Sequence, residues 1–244
     1  MNISKNNLSH ITIGFRFEKT FRISDISGEI CDIILHHQST PFGNTFFSRL
    51  NEMGPHDKTL LNDITQNYLK ITNSDIIFKY NFGSYSKVQH DEIKWLKESA
   101  IPFILKEILS GKNIKNYMRI GLMFGHSINV ENLGGRIMQK LLDDGNENAD
   151  QFSLSFGLKE TAVEGLSRKG VDDFLNKIYI IKQTGPYEFE TIFDFQYYFQ
   201  PMIKELKGWN IESFVDRSMI HLDKYFYPFI NKFMITAVGE KNNG

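Results

Sequence analysis

The sequence predicts an α+β protein in which helices cover one face of a mainly antiparallel sheet. Two observations indicate this class. Segments that alternate apolar and polar residues come in consecutive runs, as expected for strands joined by hairpins. Longer segments with apolar residues at helical spacing lie between those runs, and one apolar face on each would cover the apolar side of the sheet.

An internal repeat organises the pattern. Without gaps, an offset of 107 places residues 13–35 over 120–142, with six of 23 positions identical. Gly28 falls on Gly135, inside each predicted helix. Because a glycine within a helix costs about 1 kcal/mol relative to alanine, we interpret the pair as a shared need for close packing. The repeat predicts an internal duplication.

The two pseudo-repeats cover residues 1–112 and 113–244, and the pattern also allows one continuous domain. Each has the order strand, helix, antiparallel strands, long helix. The elements predicted for the first are a strand at 11–17, a helix from Ile23 to Ile34 with Ser24 as its N-cap, a hairpin over 68–82 that turns at 72–75, and a helix at 89–110 that Gly111 ends and in which Pro102 introduces a kink or marks a boundary. Residues 36–62 have no clear period, and 36–42 and 54–55 are expected to be loop.

The second pseudo-repeat is predicted in the same way. Its elements are a strand at 118–124, a helix at 130–142, an acidic turn at 143–147, a strand at 152–158, a loop or short helix at 161–176, a hairpin of 177–183 and 188–200 turned at 185–186, and a helix at 210–233 bent by Pro228. The apolar stripe of that helix is predicted to include Leu222 and Tyr225. Phenylalanines alternate with polar residues in the last strand, so we expect them to lie beneath helices: Phe189, Phe193, Phe195 and Phe199.

Composition limits the function classes. The 244 residues carry 28 basic and 29 acidic side chains, a net charge of −1, so the basic surface typical of nucleic-acid binders is not expected. The first ten residues are polar, and the longest uncharged apolar-leaning run, 120–130, is too short to span a bilayer. Cys31 is the single cysteine and cannot form an intramolecular disulfide. These features predict a cytoplasmic protein with no membrane partner.

Motifs for common catalytic chemistry are missing from the sequence. It has no Gly-x-Gly-x-x-Gly fingerprint, no complete phosphate-binding loop, no zinc-ligand spacing and no Gly-x-Ser-x-Gly. We therefore expect no metal ion and no cofactor. Cys31 lies within an apolar helical pattern, which is typical of an inert core thiol. His221 is expected to be a hydrogen-bonding helix residue.

Three short motifs carry a family resemblance. They are Ile77-Phe78-Lys79-Tyr80-Asn81-Phe82 leading into Trp95, the central Arg119-Ile120-Gly121-Leu122, and a C-terminal helix with His221, Phe229 and Ile235-Thr236. With them the chain resembles a sporadically distributed, uncharacterised bacterial protein family of similar length. The family's central strand usually continues with a second arginine and an aromatic-Asn segment, which residues 123–126 replace here. The family has no assigned activity, so the resemblance implies the architecture only.

One set of polar residues remains as a candidate site. Alternation along the predicted strands places five side chains on the face opposite the apolar one: Arg16, Arg119, Glu190, Asp194 and Tyr198. A guanidinium can hold a carboxylate in a two-pronged geometry, so this face suits internal ion pairs or an anionic ligand. The alternative interpretation is a solvated sheet face with cross-strand ion pairs and no further role.

The predicted function is a non-enzymatic binding or interaction module that uses this polar sheet face. Its partner would be a protein or a small polar ligand, and the sequence allows a homo-oligomer. An enzyme, for example a hydrolase with carboxylates and arginines between the two halves, is the alternative, so the question of catalysis stays open. Nucleic-acid binding is disfavoured because Glu188, Glu190 and Asp194 would face the phosphates.

Overall fold

A computed structural model describes residues 2–54, 57–82, 90–130, 133–142, 152–185 and 187–238. It contains nine strands and four helices, and the predicted α+β class is confirmed. The strands are β1 (Leu8–Phe17), β2 (Arg49–Glu52), β3 (Asp57–Leu61), β4 (Tyr68–Thr72), β5 (Asp75–Asn81), β6 (Tyr117–Asn129), β7 (Ser153–Thr161), β8 (Phe174–Gln183) and β9 (Glu188–Ile203). The helices are α1 (Arg22–His36), α2 (His90–Trp95, continued by Leu96–Ala100, Ile101–Phe103 and Ile104–Ser110), α3 (Leu133–Leu142) and α4 (Ile211–His221, continued by Leu222–Phe226 and Tyr227–Val238).

All nine strands form one antiparallel sheet with the order β2-β3-β4-β5-β1-β6-β9-β8-β7. The first strands of the two predicted pseudo-repeats, β1 and β6, are neighbours at its centre, where Gly14 lies opposite Gly121. The sheet therefore runs without interruption through both predicted pseudo-repeats. Among the described residues, no helix is long and apolar enough to cross a lipid bilayer.

The strands of the two halves of the sheet follow corresponding orders. Counted outward from the centre, β1, β5, β4 and β3 correspond to β6, β9, β8 and β7, and β2 is extra. The offset of the sequence repeat aligns Gly14 with Gly121. The same two residues lie opposite each other in the sheet, so a two-fold axis that relates the two halves would pass between them. A common origin of the halves remains a prediction. The packing role expected of Gly28 is wrong, because this glycine is exposed and a Cβ there would contact nothing within 4 Å.

Helices pack on one face of the sheet, where the core lies. The four phenylalanines predicted to lie beneath helices are all buried: Phe189, Phe193, Phe195 and Phe199. Phe226 of α4 packs against Phe193 with ring centroids 5.4 Å apart, and Phe214 against Phe195 at the same distance. Cys31 of α1 is buried as predicted, and burial raises the pKa of its thiol to about 11.

In the long helices, the residues that are buried differ from those predicted. In α4, Leu222–Phe226 forms a wider, π-helical turn. This turn rotates the stripe, so Phe226 is buried, whereas Tyr225, predicted in the stripe, is exposed. In α2, π-helical turns flank Ile101–Phe103, and the helix continues through Pro102 because the wider turns relieve its clash with the preceding carbonyl.

Other boundaries also differ. The helix α1 begins at Arg22 after Phe21, so Ser24 is not its N-cap. Residues 36–62 contain β2 and β3, which the sequence analysis missed, and residues 162–173 contain no helix. The strand β6 extends to Asn129 because its apolar alternation continues past the predicted end. The predicted acidic turn at 143–147 and Pro186 lie outside the described residues.

Candidate functional site

The sheet face opposite the helices, which we call the open face, carries all five predicted site residues. In the strand register, Arg16 lies opposite Arg119, and Arg119 opposite Tyr198, whereas Asp194 and Glu190 lie farther along β9. Among the described residues, the aromatic contacts between helices and the sheet lie on the other face. The open face is less polar than predicted, because its centre also holds Met123, Ile178, Ile180 and Ile192.

Two of the predicted residues are held in cross-strand ion pairs. Arg16 Nε lies 2.8 Å from Asp75 Oδ1 on β5, and Lys182 Nζ of β8 lies 2.7 Å from Glu190 Oε2. Opposite charges on neighbouring strands stabilise a sheet by a few tenths of a kcal/mol to about 1 kcal/mol. Arg16 and Glu190 therefore match the alternative interpretation of a solvated, ion-paired face.

Arg119 has a different environment. Its Nη1 donates to Gln196 Oε1 and to Tyr198 Oη, both at 3.2 Å, and Tyr198 Oη donates to the same Gln196 oxygen at 2.6 Å. These acceptors are uncharged. In the described part of the chain, no carboxylate lies within ion-pair distance of this guanidinium, and Nε and Nη2 have no hydrogen-bond partner. Arg119 thus keeps donors and a positive charge for another group.

Asp194 closes the same network. Gln196 Nε2 donates a short hydrogen bond to Asp194 Oδ2. Burial raises the pKa of Asp194, while the Gln196 hydrogen bond and the charge of Arg119 act in the opposite direction. Glu190 is four residues away on the same strand, about 13 Å at the usual rise per residue. The two carboxylates consequently do not form a pair that could act on one bond.

A row of rings and cations holds Arg119 in place. The Arg119 guanidinium lies 5.6 Å from the centroid of the Tyr198 ring. This ring stacks on Phe174 of β8 with centroids 4.6 Å apart, and Lys159 Nζ lies 4.1 Å from the Phe174 centroid. Such contacts contribute roughly 0.5–1 kcal/mol each at exposed sites. They order the guanidinium without neutralising it.

Beside this row, Gly14 and Gly121 leave bare backbone at the centre of the open face, which we call the glycine floor. A Cβ added at Gly14 would come no closer than 3.8 Å to the Ile77 side chain. One at Gly121 would meet Gln196 Cγ at 3.7 Å and Asp194 Oδ1 at 3.9 Å. These are ordinary van der Waals distances, so packing does not require a glycine at either position.

Polar groups flank the glycine floor at both ends. Arg16 and Arg119 face each other two residues along the strands in one direction, and Thr12 and Met123 do so in the other. Thr12 Oγ1 is buried and has no hydrogen-bond partner in the described part of the chain. Lys79 lies opposite Thr12 on β5, and burial lowers the pKa of its ammonium group, an effect that Glu190 opposes.

Three cations of the open face are not ion-paired, and Asp194 and Glu188 are the carboxylates of this face with no cation within 4.0 Å in the described part of the chain. Within the described ranges, Lys79, Arg119 and Lys159 have no carboxylate within 4.0 Å, whereas the other cations of this face have carboxylate partners. Arg119 and Lys159 belong to the row of rings and cations described above, and Lys79 lies opposite Thr12 at the other end of the glycine floor. This arrangement can accept an anionic group by charge-assisted hydrogen bonds.

The described residues offer little else for catalysis. No three His, Cys, Asp or Glu side chains among them converge closely enough to hold a metal ion. His221 is a hydrogen-bonded helix residue, with its Nε2 2.6 Å from Tyr179 Oη, and burial lowers its pKa to about 4. It is therefore neutral near pH 7 and poorly matched to a general base there.

Sequence reasoning missed two features of this site. Alternation placed Gln196 on the open face, but nothing in the sequence shows that its amide joins Arg119, Tyr198 and Asp194. The alignment of Gly14 with Gly121 was visible in the repeat, and only the antiparallel pairing of β1 with β6 turns it into a bare floor.

Comparison with protein-family models finds no match, and a search of curated proteins finds no similar sequence. The function proposed below is therefore inferred from the geometry of the site.

Proposed function

We propose that the protein is a non-enzymatic binding module that holds an anionic group, a carboxylate or phosphate of a protein partner or small ligand, on the open face. The group would lie on the glycine floor and accept hydrogen bonds from Arg119. The observation that carries the proposal is the Arg119 guanidinium, which is ordered by Gln196 and Tyr198 yet has no anionic partner in the described part of the chain.

Three features support this assignment. The row of Arg119, Tyr198 and Phe174 fixes the guanidinium, so little conformational entropy is lost when a ligand binds. The glycine floor lets a ligand approach the backbone. Lys79 adds a second cation across the floor. An ion-paired structural face would need none of these three.

The enzyme alternative has weaker support. A hydrolase of the predicted type needs two carboxylates near one scissile bond, and Asp194 and Glu190 are about 13 Å apart by strand rise. Glu190 is in addition ion-paired with Lys182. Hydrolysis of a ligand that binds on the glycine floor would favour this alternative over the binding module.

Nuclear magnetic resonance of arginine side chains tests the proposal. During titration with inorganic phosphate or acetate, the Nε–Hε resonance of Arg119 is expected to shift and saturate. Arg49 is the matched control, because it is ion-paired with Asp63 at 2.8 Å. We expect Arg119→Lys to weaken binding by about tenfold, since lysine keeps the charge and loses the planar fork. Equal shifts at both arginines would contradict a specific site.

Filling the glycine floor separates binding from stability. We expect Gly121→Val to abolish the Arg119 shift while the free energy of unfolding changes by no more than about 1 kcal/mol, because there is room for a Cβ and valine suits strands. Chemical denaturation measures the stability. The control is Ser155→Val, an exposed position on the open face of β7. An unchanged Arg119 titration in Gly121→Val would place the anion elsewhere.

A further inference from the structure

The two edges of the sheet are protected to different degrees. In the described part of the chain, β2 and β7 are the edge strands. β2 has only four residues and carries charges at both ends, Arg49 and Glu52. Short, charged edge strands are a common protection against pairing with another chain. β7 has nine residues, so it exposes a much longer row of unpaired backbone groups.

The side chains of β7 do not compensate for its length. Residues 153–158 carry no charge. The two charged residues near the end of the strand are turned toward their own sheet: Lys159 Nζ lies over the Phe174 ring, and Glu160 Oε2 lies 2.7 Å from Lys177 Nζ. Within the described residues, this edge is thus uncharged over most of its length and has no strand paired with it.

A cleft lined by both apolar and charged side chains accompanies this edge on the helix-covered side. It has a volume of about 900 Å³ and lies between α4 and the strands β7, β8 and β9. Three large apolar side chains of its lining are roughly half exposed: Leu158 at 48 %, Ile220 at 50 % and Tyr225 at 58 %. Exposed apolar residues gathered beside an unpaired strand are typical of a protein–protein interface.

We propose that β7 pairs antiparallel with β7 of a second copy of this chain, about a two-fold axis at Gly157. In this register, Leu158 faces Phe156 of the other copy, and Lys159 faces Ser155. Glu160 faces Leu154, so no like charges are opposed. The strand is therefore complementary to itself, as a two-fold interface requires.

Two further features favour a second copy over a strand from another protein. The net charge of −1 creates little repulsion between identical chains. The two-fold also brings both clefts to the same interface, so Leu158 and Ile220 of each copy are covered together. The dimer continues the sheet through both copies and leaves the glycine floor, at the centre of each sheet, uncovered by the pairing.

Sedimentation velocity over a series of protein concentrations tests the proposal with the full chain. We expect the wild type to reach twice the chain mass of 28.4 kDa. Leu158→Lys should raise the dissociation constant on the order of a hundredfold, because the two-fold places the charge at the interface twice. The matched control is Leu50→Lys on β2, where the leucine is 44 % exposed and the mass should stay that of the wild type.

A second variant, Ile220→Lys, changes the cleft without altering β7, and circular dichroism checks that each variant folds. Dissociation by Leu158→Lys and Ile220→Lys, but not by Leu50→Lys, supports the proposal. A wild type that stays monomeric at millimolar concentration overturns the proposal. It does so even if β7 pairs with a strand of a different protein. A dimer that both cleft variants leave intact also overturns it.

Discussion

Lowering the pH from about 6.5 to about 4 is expected to reduce the free energy of unfolding by several kcal/mol, because burial keeps three histidines neutral: His10, His126 and His221. His126 is fully buried, with Nδ1 3.3 Å from the Thr191 carbonyl oxygen and Nε2 3.1 Å from Tyr227 Oη. His10 is also buried, and its ring lies against Gly125. Burial lowers the pKa of each imidazole to about 4.

The sign follows from proton uptake. Between the unfolded pKa of 6.5 and the folded value of about 4, the unfolded chain binds protons at His10, His126 and His221 and the folded protein does not. Stability is therefore complete above pH 6.5 and falls by up to about 1.4 kcal/mol per pH unit for each histidine as the pH decreases. Asp194 acts in the opposite direction, because burial raises its pKa and the folded protein takes up that proton first.

Urea denaturation at a series of pH values measures this dependence. We expect His126→Gln to flatten the slope by about one proton, whatever its effect on stability at neutral pH. His36→Gln is the control, because this side chain is 74 % exposed on α1. A wild-type slope retained in each of His126→Gln, His10→Gln and His221→Gln would show that other groups cause the acid sensitivity.

Replacing Phe193 by alanine is expected to cost about 3–5 kcal/mol of stability through lost burial and a cavity. The Phe193 ring is fully buried where sheet and α4 meet. It contacts five other rings, with centroids between 5.1 and 6.0 Å away: Phe124, Tyr179, Phe195, His221 and Phe226. No single side chain can close such a space, so little of the cavity energy would be recovered.

Thermal and chemical denaturation measure the loss, with Tyr187→Ala as the control. Tyr187 is 59 % exposed, and its truncation should change the free energy of unfolding by no more than about 0.5 kcal/mol. Equal stability of the two variants would mean that the helix-covered and open faces of β9 have been interchanged.

The sequence predicts the faces of the strands well, for a physical reason. Side chains alternate along a strand with period two, so the run from Phe189 to Phe199 indicates both the strand and its buried side. The same period fails in β2, whose four residues, Arg-Leu-Asn-Glu, offer only one apolar side chain. The helical spacing of apolar residues likewise does not locate the π-helical turn of α4, because that turn depends on packing rather than on composition.

The candidate site is predictable only in part. Alternation places Arg119 and Tyr198 on one face, and the register of β6 with β9 then makes them neighbours. The ion pairs of Arg16 with Asp75 and of Glu190 with Lys182 join strands that are paired by the fold. No spacing in the sequence shows which cations of the open face have a carboxylate partner. The lack of such a partner among the described residues is what distinguishes Arg119 from Arg16.

Affinity capture from the native host, read by mass spectrometry, shows whether the open face binds an anionic group. The baits are the wild type, Gly121→Val, Arg119→Ala and the control Ser155→Val. We expect one ligand or partner with an anionic group to be recovered by the wild type and by Ser155→Val, and to be lost with the other two baits. A bound species that Gly121→Val and Arg119→Ala retain equally would contradict the assignment of the open face as the binding site.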